Sequence, residues 1–134
     1  MKKALASIVL GLASAAAFAW PTKTVTIVVP FPPGGSTDMI ARIISSQLGA
    51  KIGGTVVVDN KGGATGTIGT AQVASSAPDG YTLLVSSLGP FVIAPHLMKV
   101  QYDALKDLDP ITVAVQAPNV LVVPAASRLK SLAE

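Results

Sequence analysis

The sequence predicts an α/β fold in which helices flank a mostly parallel β-sheet. Three observations support this prediction. Short β-branched runs recur along the chain, a loop rich in Gly, Ser or Pro follows each of the first three runs, and a helical pattern follows the first two loops. Strand, loop and helix in alternation form βαβ units, whose crossovers are right-handed and whose strands lie parallel.

The first unit begins with residues 24–30, a β-branched run that predicts a strand buried on both faces. Residues 31–35 hold two prolines and two glycines and predict a loop. Ser36 is a candidate N-cap for a helix to about residue 50, with Asp38 in the first turn, where a carboxylate complements the helix dipole. The residues at helical spacing are Ile40, Ile43, Ile44, Gln47 and Leu48.

The second unit repeats this layout without repeating the sequence. Residues 55–58 predict a strand, residues 59–66 a glycine-rich loop, and residues 67–76 a short helix of small side chains. The two units therefore predict two helices that cross between parallel strands.

Further strands are predicted after the second unit. Residues 78–80, Pro-Asp-Gly, are a turn signal, and residues 81–85 predict a third strand. A loop at residues 86–90 follows this strand. Two more apolar runs, at 111–115 and 120–123, predict additional strands.

The loops after the first three strands form a candidate anion site. In an open parallel sheet, ligands bind beyond the carboxyl ends of the strands, so these loops share one edge. Gly34, Gly35 and Ser36 directly precede a helix, whose unpaired N–H groups and dipole favour a negative charge. The alternative is that they form only a tight turn. Asp38 also has two interpretations: it compensates the dipole, or it binds an amino group of a ligand.

The sequence gives little indication of catalysis or of a cofactor. Residues 62–67 match neither phosphate-binding pattern, G-x-x-x-x-G-K-[ST] or G-x-G-x-x-G. His96 is the only histidine and has no serine or cysteine elbow near it, so we interpret it as structural or exposed. Asp103, Asp107 and Asp109 lack EF-hand spacing and are interpreted as cap residues of a solvated loop. We therefore expect no catalytic residue, metal or cofactor.

Residues 1–19 predict export. Two lysines precede an apolar stretch that ends in Ala-Phe-Ala, which is the pattern of a secretory signal peptide cleaved after Ala19. An uncleaved membrane anchor is the alternative, but the apolar run is shorter than the roughly 20 residues that span a bilayer. The predicted location is the periplasm.

Removal of this segment changes the charge balance. The chain has ten Lys+Arg and seven Asp+Glu, and loss of Lys2 and Lys3 leaves eight against seven, so the net charge falls from +3 to +1. This small excess gives no reason to expect a nucleic-acid partner. The chain has no cysteine, which excludes disulfides and thiolate metal sites.

Several of these segments resemble the solute receptors of tripartite tricarboxylate transporters, also called the Bug family. IVVPFPPGGSTD at residues 27–38, VVVDNKGGATGTIG at 56–69 and APDGYTLL at 77–84 are similar to three signatures of that family, in order. Residues 119–123 fit the strand where the chain passes to a second lobe. The resemblance extends from about Pro21 to the end.

The resemblance implies a periplasmic-binding-protein-like receptor whose two α/β lobes close on a solute that carries a carboxylate. After the signal peptide predicted at residues 1–19, it assigns residues 20–117 to an incomplete first lobe, and 118–134 to the crossover and the truncated start of a second lobe. The expected partners are the solute and the membrane subunits of the transporter, with the receptor as a monomer. We expect weak binding by this chain alone, because one lobe cannot desolvate the ligand from both sides.

In that family, main-chain N–H groups, hydroxyls and bridging waters of the first lobe hold the carboxylate. This chain departs from the family at Gly62, where proline is common, and at Thr65, where glycine is common. An α/β enzyme fragment that uses phosphate or a nucleotide, or a sensor for a signalling partner, remain alternative functions. The candidate ligand-binding residues are Phe31, Pro32, Pro33, Gly34, Gly35, Ser36, Asp38, Ala64, Thr65, Gly66, Thr67, Ser86 and Ser87.

Overall fold

The computed structural model describes residues 20–118, 120–129 and 131–132, so the predicted signal peptide lies outside the described residues. None of the helices in these ranges has the length and apolarity needed to cross a bilayer. In chain order the elements are β1 (Val25–Val29), α1 (Ser36–Ile52), β2 (Val56–Asn60), a 3-10 turn (Ala64–Gly66), α2 (Thr67–Ala74), β3 (Thr82–Leu84), a π-helical turn (Gly89–Ile93) and α3 (Ala94–Leu97).

The three strands form one parallel sheet in the order β2-β1-β3. The chain moves from β1 outward to β2, then crosses back over β1 to β3. Right-handed crossovers in opposite directions place α1 and α2 on opposite faces of the sheet. Accordingly, α1 packs on β1 and β2, whereas α2 packs on β1 and β3. The predicted α/β class with a parallel sheet and flanking helices is confirmed.

The core lies around the central strand β1. Ile27 and Val29 are fully buried and cluster with Ala41 of α1. Val28, which is 1% exposed, lies out of phase with them and faces the other side of the sheet. Because β1 has a strand on each side and a helix on each face, it is apolar without alternation, as the sequence predicted.

Helix α1 differs from its prediction at its N-terminus and on one face. Gly35 is the N-cap and Ser36 is the first helical residue, so the predicted capping role of Ser36 is wrong. Gly53 ends the helix at φ 64°, a conformation that suits glycine. Ile43 is 60% exposed, because the face on the sheet centres on Ala41, whose small side chain permits close packing.

Strand β2 extends further than predicted. Asp59 and Asn60 were assigned to a loop, but they pair with Val28 and Val29 of β1. The ladder continues because the Lys61 N–H donates to Val29 O at 2.8 Å. This extension brings the Asn60 side chain level with the end of β1.

The strands predicted at residues 111–115 and 120–123 are not present in the structure. Their apolar side chains are exposed, for example Ile111 at 80% and Leu121 at 81%. A strand is formed by hydrogen bonds to a neighbouring strand, and β1 to β3 supply none to these residues within the described ranges. The division of the chain at residues 117 and 118 stays a prediction.

Candidate functional site

Three loops meet at the carboxyl edge of the sheet: loop 1 (residues 31–35), loop 2 (61–66) and loop 3 (85–88). Gly66 of loop 2 lies beside Phe31 of loop 1 and beside Pro90 of the π-helical turn that follows loop 3, since a Cβ on it would be 2.7 Å from Pro90 Cγ and 3.2 Å from Phe31 Cζ. The structure therefore brings together loops that are far apart in sequence, at the edge where the sequence analysis expected them.

The N-terminus of α1 opens onto this edge. The first bond of the helix runs from the Met39 N–H to Gly35 O at 3.0 Å. The N–H groups of Ser36 and Thr37 precede it and so have no acceptor within the helix. Gly34, Gly35 and Ser36 are exposed. Main-chain donors and the positive end of the helix dipole are thus accessible to an anion.

Asp38 lies beneath loop 1 and is only 3% exposed. Its Oδ2 accepts hydrogen bonds from the Gly34 N–H and from Arg42 Nε, both at 2.9 Å. Its Oδ1 accepts a hydrogen bond from Asn60 Nδ2 at 2.9 Å. The hydrogen bond from Arg42, followed by those from Gly34 and Asn60, lowers the pKa of Asp38 from its usual 3.8 to about 2. Both carboxylate oxygens are therefore engaged by the protein itself.

We expect acid to release loop 1 only near the lowered pKa of Asp38. A carboxyl whose pKa is lower in the folded than in the unfolded state contributes stability that is complete above about pH 4 and is lost as the pH falls through the folded value. The chemical shift of the Gly34 amide, followed by NMR from neutral pH downward, should change with a midpoint near 2. A midpoint near the ordinary pKa of aspartate would contradict this assignment.

Asn60 and Arg42 belong to the site but were missed by sequence reasoning. Asn60 Nδ2 also donates to Phe31 O at 3.2 Å, and Arg42 Nη2 donates to Asn60 Oδ1 at 3.3 Å. Asn60 therefore links the end of β2 to loop 1 and to α1. The feature of the sequence that could have indicated Asn60 was its position after a β-branched run, at the end of a strand beside β1.

Loop 2 has a backbone that suits glycine. Ala64 and Thr65 have φ values of 44° and 56°, which are uncommon for residues with a Cβ. The glycine that the family commonly has at position 65 matches this conformation. The hydroxyls of Thr65 and Thr67 donate to Ala64 O at 2.7 and 2.9 Å, so they stabilise the turn and keep lone pairs as acceptors.

Loop 3 contributes Ser86, which is half-buried, and Ser87, which is exposed. The π-helical turn that follows is fixed by Tyr102, whose OH donates to Pro90 O at 2.6 Å. Burial raises the pKa of Tyr102, which keeps the phenol protonated as a donor. Sequence reasoning did not identify Tyr102, because its acceptor lies in another segment.

Two depressions are also present, and the first of them is lined in part by Thr67 of the predicted site. One, of about 440 Å³, is formed between α2 and residues 99–101, and one of about 370 Å³ lies beside His96 and Tyr102. His96 is exposed, and the Asp107 carboxylate accepts the N–H of Asp103 in a local turn. We place the candidate site at the loop edge, where main-chain donors converge, because neither depression contains such a set.

Known proteins provide an independent comparison. Residues 40–134 match the family described as "Tripartite tricarboxylate transporter family receptor". Protein BugT of Bordetella pertussis is 44% identical over 115 residues, covering 84% of this chain and 35% of that protein.

Two solved structures from Rhodopseudomonas palustris are also similar to this chain. MatC with bound malate has a TM-score of 0.63 and 43% identity, covering 66% of this chain and 30% of MatC. A second protein, solved with adipate, has a TM-score of 0.51 and 46% identity, covering 52% and 23%. The chain spans about a third of the length of the curated relatives it matches.

Proposed function

Because this chain belongs to the tripartite tricarboxylate transporter receptor family of periplasmic solute-binding proteins, we propose that it captures a small carboxylate at the three-loop edge. The observation that carries this proposal is that loop 2 packs against loop 1, which leads directly into the exposed N-terminus of α1, while the turn that follows loop 3 packs against Gly66. The proposed ligand-binding residues are those of the sequence prediction except Asp38, whose two carboxylate oxygens accept hydrogen bonds from the protein itself; they are Phe31 to Ser36, Ala64 to Thr67, and Ser86 with Ser87.

The chemistry of the edge supports an anionic ligand. The N–H groups of Ser36 and Thr37 are donors without an intrahelical acceptor, and the helix dipole adds a favourable potential. Glycines 34 and 35 have no Cβ to block an approach to the main chain. Waters can bridge the remaining distance to the hydroxyls of loops 2 and 3 at little cost in enthalpy.

The ligands of the solved relatives support the carboxylate class. One is bound to malate and the other is described with adipate, and both compounds are dicarboxylates. They differ in length and in hydroxylation but share terminal carboxylates. A site made of main-chain donors recognises that shared group, so we propose a dicarboxylate as the ligand.

We further propose that the protein acts in the periplasm and presents its solute to the membrane subunits of a tripartite transporter. The signal peptide predicted at residues 1–19 and the receptor family both support this assignment. Members of this family are binding proteins rather than enzymes, which leaves the enzyme hypothesis without a supporting observation.

The experiment that tests this proposal removes the main-chain N–H of residue 36. Ser36 is the first helical residue, and proline is well tolerated at that position because its φ suits a helix and its missing N–H has no helical partner. Gly35, with φ −77° and ψ 170°, has the extended conformation that a residue before proline requires. Ser36→Pro should weaken malate or adipate binding roughly tenfold to a hundredfold, the value of a hydrogen bond to a charged group.

Ser36→Ala is the matched variant, since it removes the hydroxyl and keeps the N–H. It should weaken binding less than Ser36→Pro does. Calorimetry should use the protein as its gene encodes it, with any residues that follow Glu134 in the reading frame, and this chain by itself for comparison. Equal affinities of the two variants would refute main-chain capture. Binding of inorganic phosphate in preference to both dicarboxylates would refute the ligand class.

A further inference from the structure

We propose that Asn60, together with Asp38 and Arg42, positions loop 1 for carboxylate capture without contacting the solute. This inference rests on the proposed function of the edge. It assigns a role to two residues, Asn60 and Arg42, that lie outside the set of ligand-binding residues and on different elements, β2 and α1. We call the three side chains the latch.

The latch is a closed set of hydrogen bonds. Asn60 Nδ2 reaches both Asp38 Oδ1 at 2.9 Å and Phe31 O at 3.2 Å. Arg42 donates to Asp38 Oδ2 through Nε at 2.9 Å and to Asn60 Oδ1 through Nη2 at 3.3 Å. Each member therefore contacts the other two, and the latch holds loop 1 at two points, Phe31 O and the Gly34 N–H.

The two attachment points frame the residues that the proposed function uses. Phe31 begins loop 1, and Gly34 directly precedes the N-cap of α1. Gly34 has φ 89°. Glycine adopts positive and negative φ about equally readily, so the residue by itself does not fix this conformation. The hydrogen bond to Asp38 selects this conformation from the several that are open to glycine. The N–H groups that follow are thereby oriented before the solute arrives.

The saturation of Asp38 explains why the latch acts indirectly. Its two oxygens accept three hydrogen bonds from the protein, and its side chain is almost fully buried. Burial beneath loop 1 therefore keeps an amino group of a ligand from its remaining lone pair. Arg42 also neutralises the charge of Asp38, so the carboxylate does not repel an anion at the neighbouring helix N-terminus.

The experiment compares Asn60→Asp with Ser45→Ala. Asn60→Asp keeps the size of the side chain but removes the donor to Phe31 O and places a second carboxylate beside Asp38. Ser45→Ala removes another α1–β2 hydrogen bond, from Ser45 Oγ to Val56 O at 2.9 Å, which does not involve loop 1. Both variants should lower Tm, so a loss of stability alone cannot produce a difference in binding.

Binding kinetics with malate and adipate give the first measurement, in the protein as encoded. If the latch sets the fraction of molecules in which loop 1 is oriented for binding, a tenfold decrease in that fraction lowers the affinity about tenfold. Asn60→Asp should reduce the association rate by about that factor and leave the dissociation rate nearly unchanged. Loss of a direct contact would raise the dissociation rate instead. Ser45→Ala should leave both rates unchanged.

Amide hydrogen exchange without ligand gives a second measurement. Exchange at Gly34 should be faster in Asn60→Asp and unchanged in Ser45→Ala. Unchanged exchange in Asn60→Asp would overturn the latch, as would an affinity loss that resides in the dissociation rate. If the unmodified protein binds neither dicarboxylate, the proposed function is wrong and the positioning role falls with it. If it binds one and Asn60→Asp binds equally well, only the latch is wrong.

Discussion

Replacement of Gly69 by alanine should lower the free energy of unfolding by about 3 kcal/mol, the upper range for an added methyl group in a packed interior. A Cβ at this position would lie 2.7 Å from Lys61 O and 2.9 Å from Pro30 Cβ. The contacted atoms belong to main chain and to a proline ring, so no flexible side chain can move away. The higher helix propensity of alanine offsets at most about 1 kcal/mol of this cost.

Urea unfolding of Gly69→Ala beside Gly35→Ala tests this expectation. At Gly35 the φ is −77° and the nearest atom to a new Cβ is Pro32 O at 3.8 Å, an ordinary contact. The same substitution should therefore lower the unfolding free energy there by only about 0.5–1 kcal/mol, the cost of alanine in place of glycine as the N-cap. A Gly69→Ala variant as stable as Gly35→Ala would show that α2 does not pack against the end of β1 as described.

Replacement of Gly66 by alanine should lower stability by about 2–3 kcal/mol and weaken dicarboxylate binding at the same time. Gly66 has φ 93°, where an L side chain is strained. The added Cβ would also lie 2.7 Å from Pro90 Cγ and close to the Phe31 ring. Relief of that crowding must move loop 2 away from loop 1 and from the π-helical turn that follows loop 3. The affinity should fall because all three loops contribute to the proposed site.

Gly53→Ala separates the cost of backbone strain at positive φ from the cost of crowding by the added Cβ. Gly53 ends α1 at φ 64°, and a Cβ there would have no atom within 4 Å. This variant should show only the backbone cost, about 1–2 kcal/mol, and no change in affinity, since it lies away from the loop edge. Thermal denaturation and calorimetry of both variants give the comparison. Equal losses of stability in the two variants would exclude crowding at the junction of the loops.

The location of the candidate site could be inferred from the sequence, whereas its construction could not. Parallel strands end at one edge, so the glycines and serines after the first three runs had to gather there. The roles of individual side chains were harder to infer from the sequence. Asp38 was given two interpretations, and the choice depends on Asn60, which lies 22 residues further along the chain. No local pattern encodes which distant donor will reach a carboxylate.

The helices and strands show the same division between what the sequence determines and what the tertiary structure decides. The sequence by itself determined the first three strands and the two helices that follow β1 and β2, because these depend on propensities and on periodicity within a few residues. Only the tertiary structure decided that β1 is central, that Ile43 faces solvent, and that β2 continues to Asn60. Residues 111–115 have the composition of a strand but lie exposed without a strand partner in the described part of the chain. The physical reason is that strand pairing, helix orientation and loop junctions are stabilised by contacts between segments far apart in sequence, which local patterns do not specify.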